Sequence, residues 1–126
     1  MKAHVYLLEN DVIMWEEMPV ASVFSVEKYG EKLRNLAKNL DSFYLILDLS
    51  KTKRPSAEVR SSLKELYSSF PNFEHAAAFT GANFMLNIAA KFVLNFVGLN
   101  SFSVHKTKDE AFSEIAEHKH KKSKVG

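Results

Sequence analysis

Apolar residues along this chain change their spacing from one short segment to the next, and the changes predict an ordered series of strands and helices. Residues 5–8 (Val5, Tyr6, Leu7, Leu8) and 12–15 (Val12, Ile13, Met14, Trp15) are short β-prone runs. Asn10 and Asp11 between them are residue types that close a hairpin turn. Pro19 then ends or closely follows the second run. Leu33, Leu36, Ala37 and Leu40 recur at helical spacing, with Glu31, Lys32, Arg34, Asn35, Lys38 and Asn39 between them. This predicts an amphipathic helix that starts at a capping Ser25 and stops at Asp41 and Ser42. Residues 43–48 are apolar on both alternating faces until Asp48, the pattern of a central parallel strand covered on both sides.

The second half repeats the alternation. A polar loop, 51–55, leads to Ser56, which is placed to cap a helix with Glu58 in its first turn. Val59, Leu63, Leu66, Tyr67 and Phe70 form the apolar stripe of that helix, and Pro71 and Asn72 break it. Residues 75–80 predict a strand and Gly81 a turn. A third helix is expected from about Asn83 to Val97, with Gly98 just past its end. Residues 102–105 predict a last strand. Residues 109–117 predict a last helix with Ala111, Phe112, Ile115 and Ala116 inward. The order is ββαβαβαβα, an α/β chain with a mainly parallel mixed sheet and an N-terminal antiparallel hairpin.

With Leu45-Ile46-Leu47-Asp48-Leu49-Ser50 at its centre, this order resembles the SpoIIAA-like (STAS-like) domains, in which a strand ending Asp-Leu-Ser leads through a loop into a helix. The segments Ala76-Ala77-Ala78-Phe79-Thr80, 83–100 and 104–112 extend the resemblance, to a little-characterised bacterial branch, over nearly the whole chain. The resemblance implies an α/β interaction module. In the anti-sigma-factor antagonists of that family a regulatory serine stands in an Asp-Ser-Ser-Gly segment at the start of the second helix. Aligned from Asp48-Leu49-Ser50, that serine falls on Ala57, Ser56 takes the preceding Asp position, and the glycine is missing. Asp48, Ser50 and Ser56 are therefore the candidate regulatory or partner site. Asp48 also has a structural reading, as a strand-end acid that satisfies loop N–H groups, and Ser56 has one as a helix cap.

Composition narrows the class further. At 126 residues, 46% hydrophobic and 25% charged, the chain fits one globular domain. It has no cysteine, which excludes disulfides, thiolate metal sites and cysteine nucleophiles. Met1-Lys2-Ala3-His4 runs straight into a strand without the apolar stretch of a signal peptide, so a cytoplasmic protein is expected. The longest apolar stretch, 84–97, is interrupted by Asn87, Lys91 and Asn95, and no transmembrane segment is expected. The net charge is +2, of which the four lysines of 118–126 supply +4, leaving −2 on the rest. This predicts a domain of residues 1–117 followed by a basic, flexible tail, 118–126. No basic face with interleaved aromatics points to nucleic acid.

Candidate chemistry is sparse. His4, His75, His105, His118 and His120 show no metal-ligand spacing, and His118 and His120, two apart, diverge on a helix. Gly81 is isolated, so no phosphate cradle is formed. No catalytic residue, metal or cofactor is expected, and the chain reads as a non-enzyme. The third helix carries the strongest signal. Its polar residues Asn83, Asn87, Lys91 and Asn95 make one narrow stripe, and the apolar arc around the remainder exceeds what packing on one sheet requires. Phe92 and Phe96 are the candidate surface for a homodimer or a ligand. The expected function is a non-enzymatic regulatory or protein-interaction module, self-associating or meeting another regulatory protein. The alternative is a binding protein for a small apolar ligand or lipid, as in the similarly built CRAL-TRIO-like proteins, with the ten phenylalanines supplying a lining.

Overall fold

The computed structural model describes residues 4–99 and 101–125, with side chains through Lys121. In chain order the elements are β1 (His4–Glu9), β2 (Val12–Glu16), α1 (Val23–Ala37), β3 (Phe43–Asp48), α2 (Ala57–Tyr67), β4 (Phe73–Phe79), α3 (Phe84–Phe96), β5 (Phe102–His105) and α4 (Lys108–Val125). The five strands lie in sequence order, β1-β2-β3-β4-β5. β1 is antiparallel to β2, and the other three pairings are parallel. The expected α/β order and the expected mixed sheet are both present.

A parallel sheet that grows always in one direction, through right-handed crossovers, puts its crossover helices on one face. α1, α2 and α3 accordingly share a core with Trp15, Leu45, Leu47, Ala76 and Ala78, to which they contribute Leu33, Leu66 and Leu94. α4 follows the last strand and packs on the opposite face. There Ala111 and Ile115 meet Val12, Met14, Tyr44, Ile46 and Ala77. Successive side chains of a strand alternate between faces. Tyr44 and Ile46 therefore serve one core while Leu45 and Leu47 serve the other. Ala76, Ala77 and Ala78 are fully buried, small enough for helices to approach β4 from both sides. α1 and α2 come closest at Gly30, where a Cβ would lie 2.9 Å from Leu66 Cδ1.

The helix ends follow local chemistry. α2 and α3 begin at Ser56 and Asn83, whose side chains accept from the backbone N–H groups of Val59 and Leu86. Gly98 has φ +76, the left-handed backbone that closes a helix C-terminus. At α1 the expected cap is corrected from Ser25 to Ser22. The Ser22 hydroxyl accepts from Ser25 N at 3.0 Å, and the Ser25 hydroxyl accepts from Ser22 N at 2.8 Å. The two serines form a reciprocal capping box that starts the helix one turn earlier.

The last helix, expected over 109–117, is longer and runs unbroken from Lys108 to Val125. The His118 ring stacks on His75 with centroids 4.8 Å apart and meets the Tyr44 ring edge-on at 5.7 Å. Lys119 pairs with Asp11 in the β1–β2 turn and lies 5.4 Å above the Tyr44 ring. The start of the basic segment lacks aliphatic side chains but not anchors. An imidazole and an ammonium hold it to aromatic and acidic partners across the sheet. Removing residues 118–126 should therefore lower the thermal midpoint by several degrees, as a loss of about 1–2 kcal/mol would do in a domain of this size. A midpoint equal to that of the full chain, read by circular dichroism, would show that these contacts contribute nothing.

Candidate functional site

In parallel sheets, ligand sites tend to lie beyond the carboxyl ends of the strands. Here β2 and β3 end side by side, with Trp15 paired to Leu47 and Glu16 to Asp48. The chain leaves β2 through Glu17 and Met18, and it leaves β3 through Leu49 into the loop 50–55. α2 and α3 pass over this end on the same face. The space left between them is an apolar pocket of about 70 Å³. Its floor is Trp15 and Leu47, its walls are Leu63 and Tyr67 of α2 and Ala90 and Val93 of α3, and Lys53 and Arg54 form its exposed rim. A single water needs about 10–15 Å³ and benzene fits a cavity of about 150 Å³, so this space admits a short alkyl group rather than a whole lipid.

A few polar groups converge on this lining. Trp15 is 1% exposed, and no acceptor lies within hydrogen-bonding geometry of its indole N–H. The indole is nevertheless close enough to the Glu17 carboxyl to favour its charged form slightly. Burial acts the other way on Glu17 and prevails. It raises the carboxyl above the usual range despite the Met18 N–H, which donates to Oε1 at 2.9 Å. Tyr67 is held far above the ordinary phenol range, first by burial and then by the Glu17 charge, so it stays a neutral hydroxyl. The Trp15 and Tyr67 rings lie 6.4 Å apart.

The residues singled out in the sequence do not assemble into one site. Asp48 Oδ1 accepts from Ser50 N at 3.0 Å and from Ser50 Oγ at 2.6 Å, which folds the carboxylate back onto its own loop. The Ser56 hydroxyl accepts from Val59 N at 3.2 Å as the α2 cap. None of the three lines the pocket. Phe92 and Phe96 lie on the outer side of α3, 55% and 41% exposed, while Ala90, Leu94 and Val97 of the same segment face inward. Trp15, Glu17 and Tyr67 carried no motif. Trp15 and Glu17 were visible only as an aromatic residue and an acid near the carboxyl end of a predicted strand, and Tyr67 only as part of the apolar stripe of the second helix.

A second polar cluster lies under α4. His75 is 4% exposed, with Nδ1 2.6 Å from Ser101 Oγ and Nε2 3.2 Å from Ser103 Oγ and 3.6 Å from Glu114 Oε1. Ser103 Oγ also lies 2.7 Å from His105 Nε2. A serine, a histidine and a glutamate in contact are the residue types of an acyl-transfer triad. Here His118 is stacked on the imidazole and the ring is sealed from solvent, so a substrate has no approach to it. The arrangement satisfies a buried polar side chain between β4, β5 and α4. Among the described residues, no group of three or more His, Asp or Glu side chains is placed to hold a metal ion, and no helix is long and apolar enough to cross a membrane.

Compared with known families and with curated proteins, the sequence matches no family model and no curated protein.

Two outcomes follow from these environments. Ser56→Ala should cost about 0.5–2 kcal/mol through the lost cap, and Ser56→Asp, which restores an acceptor at a helix N-terminus, should melt close to the parent. A Ser56→Ala midpoint equal to that of the parent would remove the capping role. His75 is held below the usual histidine range, first by burial and then by His118 and His105, against the pull of Glu114. As the pH falls below the ordinary value near 6.5, the unfolded chain takes up this proton before the folded one does. The stability present at higher pH is then lost progressively toward the lower folded value. Glu17, raised by burial, acts in the opposite sense at lower pH. The informative quantity is thus the difference between parent and variant. Between about pH 7.5 and pH 5.5, the parent should lose more of its thermal midpoint than His75→Gln. Parallel losses would show that His75 takes up its proton equally in the folded and unfolded states.

Proposed function

We propose that this protein is a non-catalytic binding module for a small apolar ligand, of the regulatory kind that the STAS-like resemblance implies. The observation that carries the reading is the pocket at the carboxyl ends of β2 and β3, apolar over most of its lining and bounded by a few placed polar groups. The alkyl part of a ligand fits between Trp15, Leu47, Tyr67 and Val93. A polar or anionic end is matched by Lys53 and Arg54, which line the pocket from the exposed loop. Binding there joins β2, the 50–55 loop, α2 and α3. Occupancy would restrain the one place where these four segments meet around open space, and this gives a regulatory module a means of response.

Trp15 is the chain's single tryptophan, so its emission reports on the pocket directly. Titration with hexanoate should give a saturable change in Trp15 fluorescence with a dissociation constant below about 1 mM, equivalent to about 4 kcal/mol. Ala89→Leu, which adds bulk at a half-buried lining position of α3, should weaken this about tenfold while the protein stays folded. An unsaturable response in the parent, or equal affinity in the variant, would overturn the reading.

A further inference from the structure

The outer side of α3 is apolar where a surface helix is normally polar. Phe84, Ile88, Phe92 and Phe96 are spaced four apart along one ridge and are 74%, 47%, 55% and 41% exposed, and neighbouring Met85 is 71% exposed. A helix needs one apolar face to pack on its sheet, and α3 already supplies it with Ala90 and Leu94. The outer ridge is thus a second apolar face, continuous over the length of the helix.

The charges around it have one sign. Arg54 lies 5.5 Å from the Phe92 ring centroid. Arg60 and Lys64 lie 5.6 and 5.4 Å from that of Phe96. Lys91 is exposed on α3 itself, Lys51 and Lys53 on the adjoining loop, and neither α3 nor residues 51–55 contain an acid. α2 sorts its charges by face. Arg60 and Lys64 turn toward α3, whereas Glu65 and Ser62 turn toward α1, beside Glu27, Glu31 and Arg34. Glu58 shares the helical face of Ser62 and Glu65 by its spacing.

We propose that the α3 ridge docks this protein on an anionic lipid bilayer surface, with Phe84, Met85, Ile88 and Phe92 at the acyl boundary and Arg54, Lys64 and Lys91 among the headgroups. A second copy of the chain fits less well. A two-fold interface would set the same patch against itself, and these cations would meet one another with no acid in the patch to neutralise them. An anionic bilayer supplies both missing complements, an apolar layer for the rings and negative charge for the flanking cations. Arg54 and Lys64 are exposed and run over the Phe92 and Phe96 rings, as amphipathic side chains do at such a boundary. Arg60 is half-buried and its Nη1 donates to Pro55 O at 3.0 Å, so it adds charge from behind the ridge. The proposal is independent of whether the pocket behind α3 is occupied.

The test is co-sedimentation of the full chain with sucrose-loaded vesicles of phosphatidylcholine, with and without phosphatidylglycerol, alongside sedimentation velocity without lipid. Binding is expected with phosphatidylglycerol at least about tenfold tighter than without it, and weakened by added salt. Phe92→Glu should reduce it about tenfold with an unchanged circular dichroism melt. Arg60→Glu/Lys64→Glu should abolish the preference for phosphatidylglycerol, and Ile88→Asp gives a second ridge variant if Phe92→Glu melts early. Absence of binding to phosphatidylglycerol vesicles at low salt would overturn the proposal, as would binding indifferent to both ridge variants. A dimer that Phe92→Glu dissociates, in a protein that leaves vesicles unbound, would assign the ridge to a second copy instead.

Discussion

The fold depends on burying β3 from both sides. Its six residues present Leu45 and Leu47 to one face and Tyr44 and Ile46 to the other, and all four are buried. A strand with no polar face cannot lie at the solvent side of a sheet, so helices must cover both. The strands follow one another in sequence order, and this order sends the three crossover helices to one side. Only the segment after β5 is left for the other. One face is therefore amply covered by α1, α2 and α3, and the opposite one depends on α4 alone. This division gives α4 reason to extend to Lys119. Its apolar anchors Ala111 and Ile115 pack with Val12, Tyr44 and Ile46, and His118 adds ring contacts to Tyr44 and His75 one turn further on. The sheet thus recruits residues whose composition alone suggests a solvated tail.

The same division explains what was legible in the sequence. β3 and β5 have their expected limits, and the hairpin, the Ser56 cap and Gly98 are placed as expected, because each is dictated by alternation or by local backbone chemistry. The α1 cap was misplaced because Ser22 and Ser25 are the same residue type at capping-box spacing, and only the chain path tells the outer from the inner. The extent of α4 was hidden because stacking of His118 on His75 joins residues 43 positions apart and leaves no periodic trace. The pocket was hidden for a related reason. It is a gap in the packing between α2 and α3, and the apolar residues that line it read as ordinary core while Lys53 and Arg54 read as loop. By contrast, the surplus of apolar residues on α3 was visible, since a helix with one narrow polar stripe has more apolar arc than one sheet can use.

Polar burial differs between the two faces. Under α4, His75 has a hydroxyl at each ring nitrogen and a carboxylate nearby, so its burial is compensated. His118 Nδ1 is buried there without a partner. On the other face, the indole N–H of Trp15 is unpaired, Arg60 Nε is unpaired, and Glu17 is desolvated enough to hold its proton more tightly than usual. A buried donor without an acceptor costs about 1–3 kcal/mol. Such costs persist where the surrounding packing can bear them, and this face has three helices to do so.

Departures from local consistency carry most meaning where several coincide. The unpaired Trp15 N–H, the raised Glu17 carboxyl, the gap between α2 and α3, the cationic rim at Lys53 and Arg54 and the exposed ridge on α3 all occupy one quarter of the domain. α3 links them, since its inner residues wall the pocket and its outer residues form the ridge. The two surfaces are separated by no more than the thickness of one helix, about 10 Å. A core built only for stability would close such a gap between α2 and α3 and carry polar residues outward. The inner face of α3 mixes small Ala89 and Ala90 with Leu86, Val93 and Leu94, and the outer face carries the bulky Phe92 and Phe96. One helix thus serves as pocket wall on its inner side and as exposed apolar ridge on its outer side.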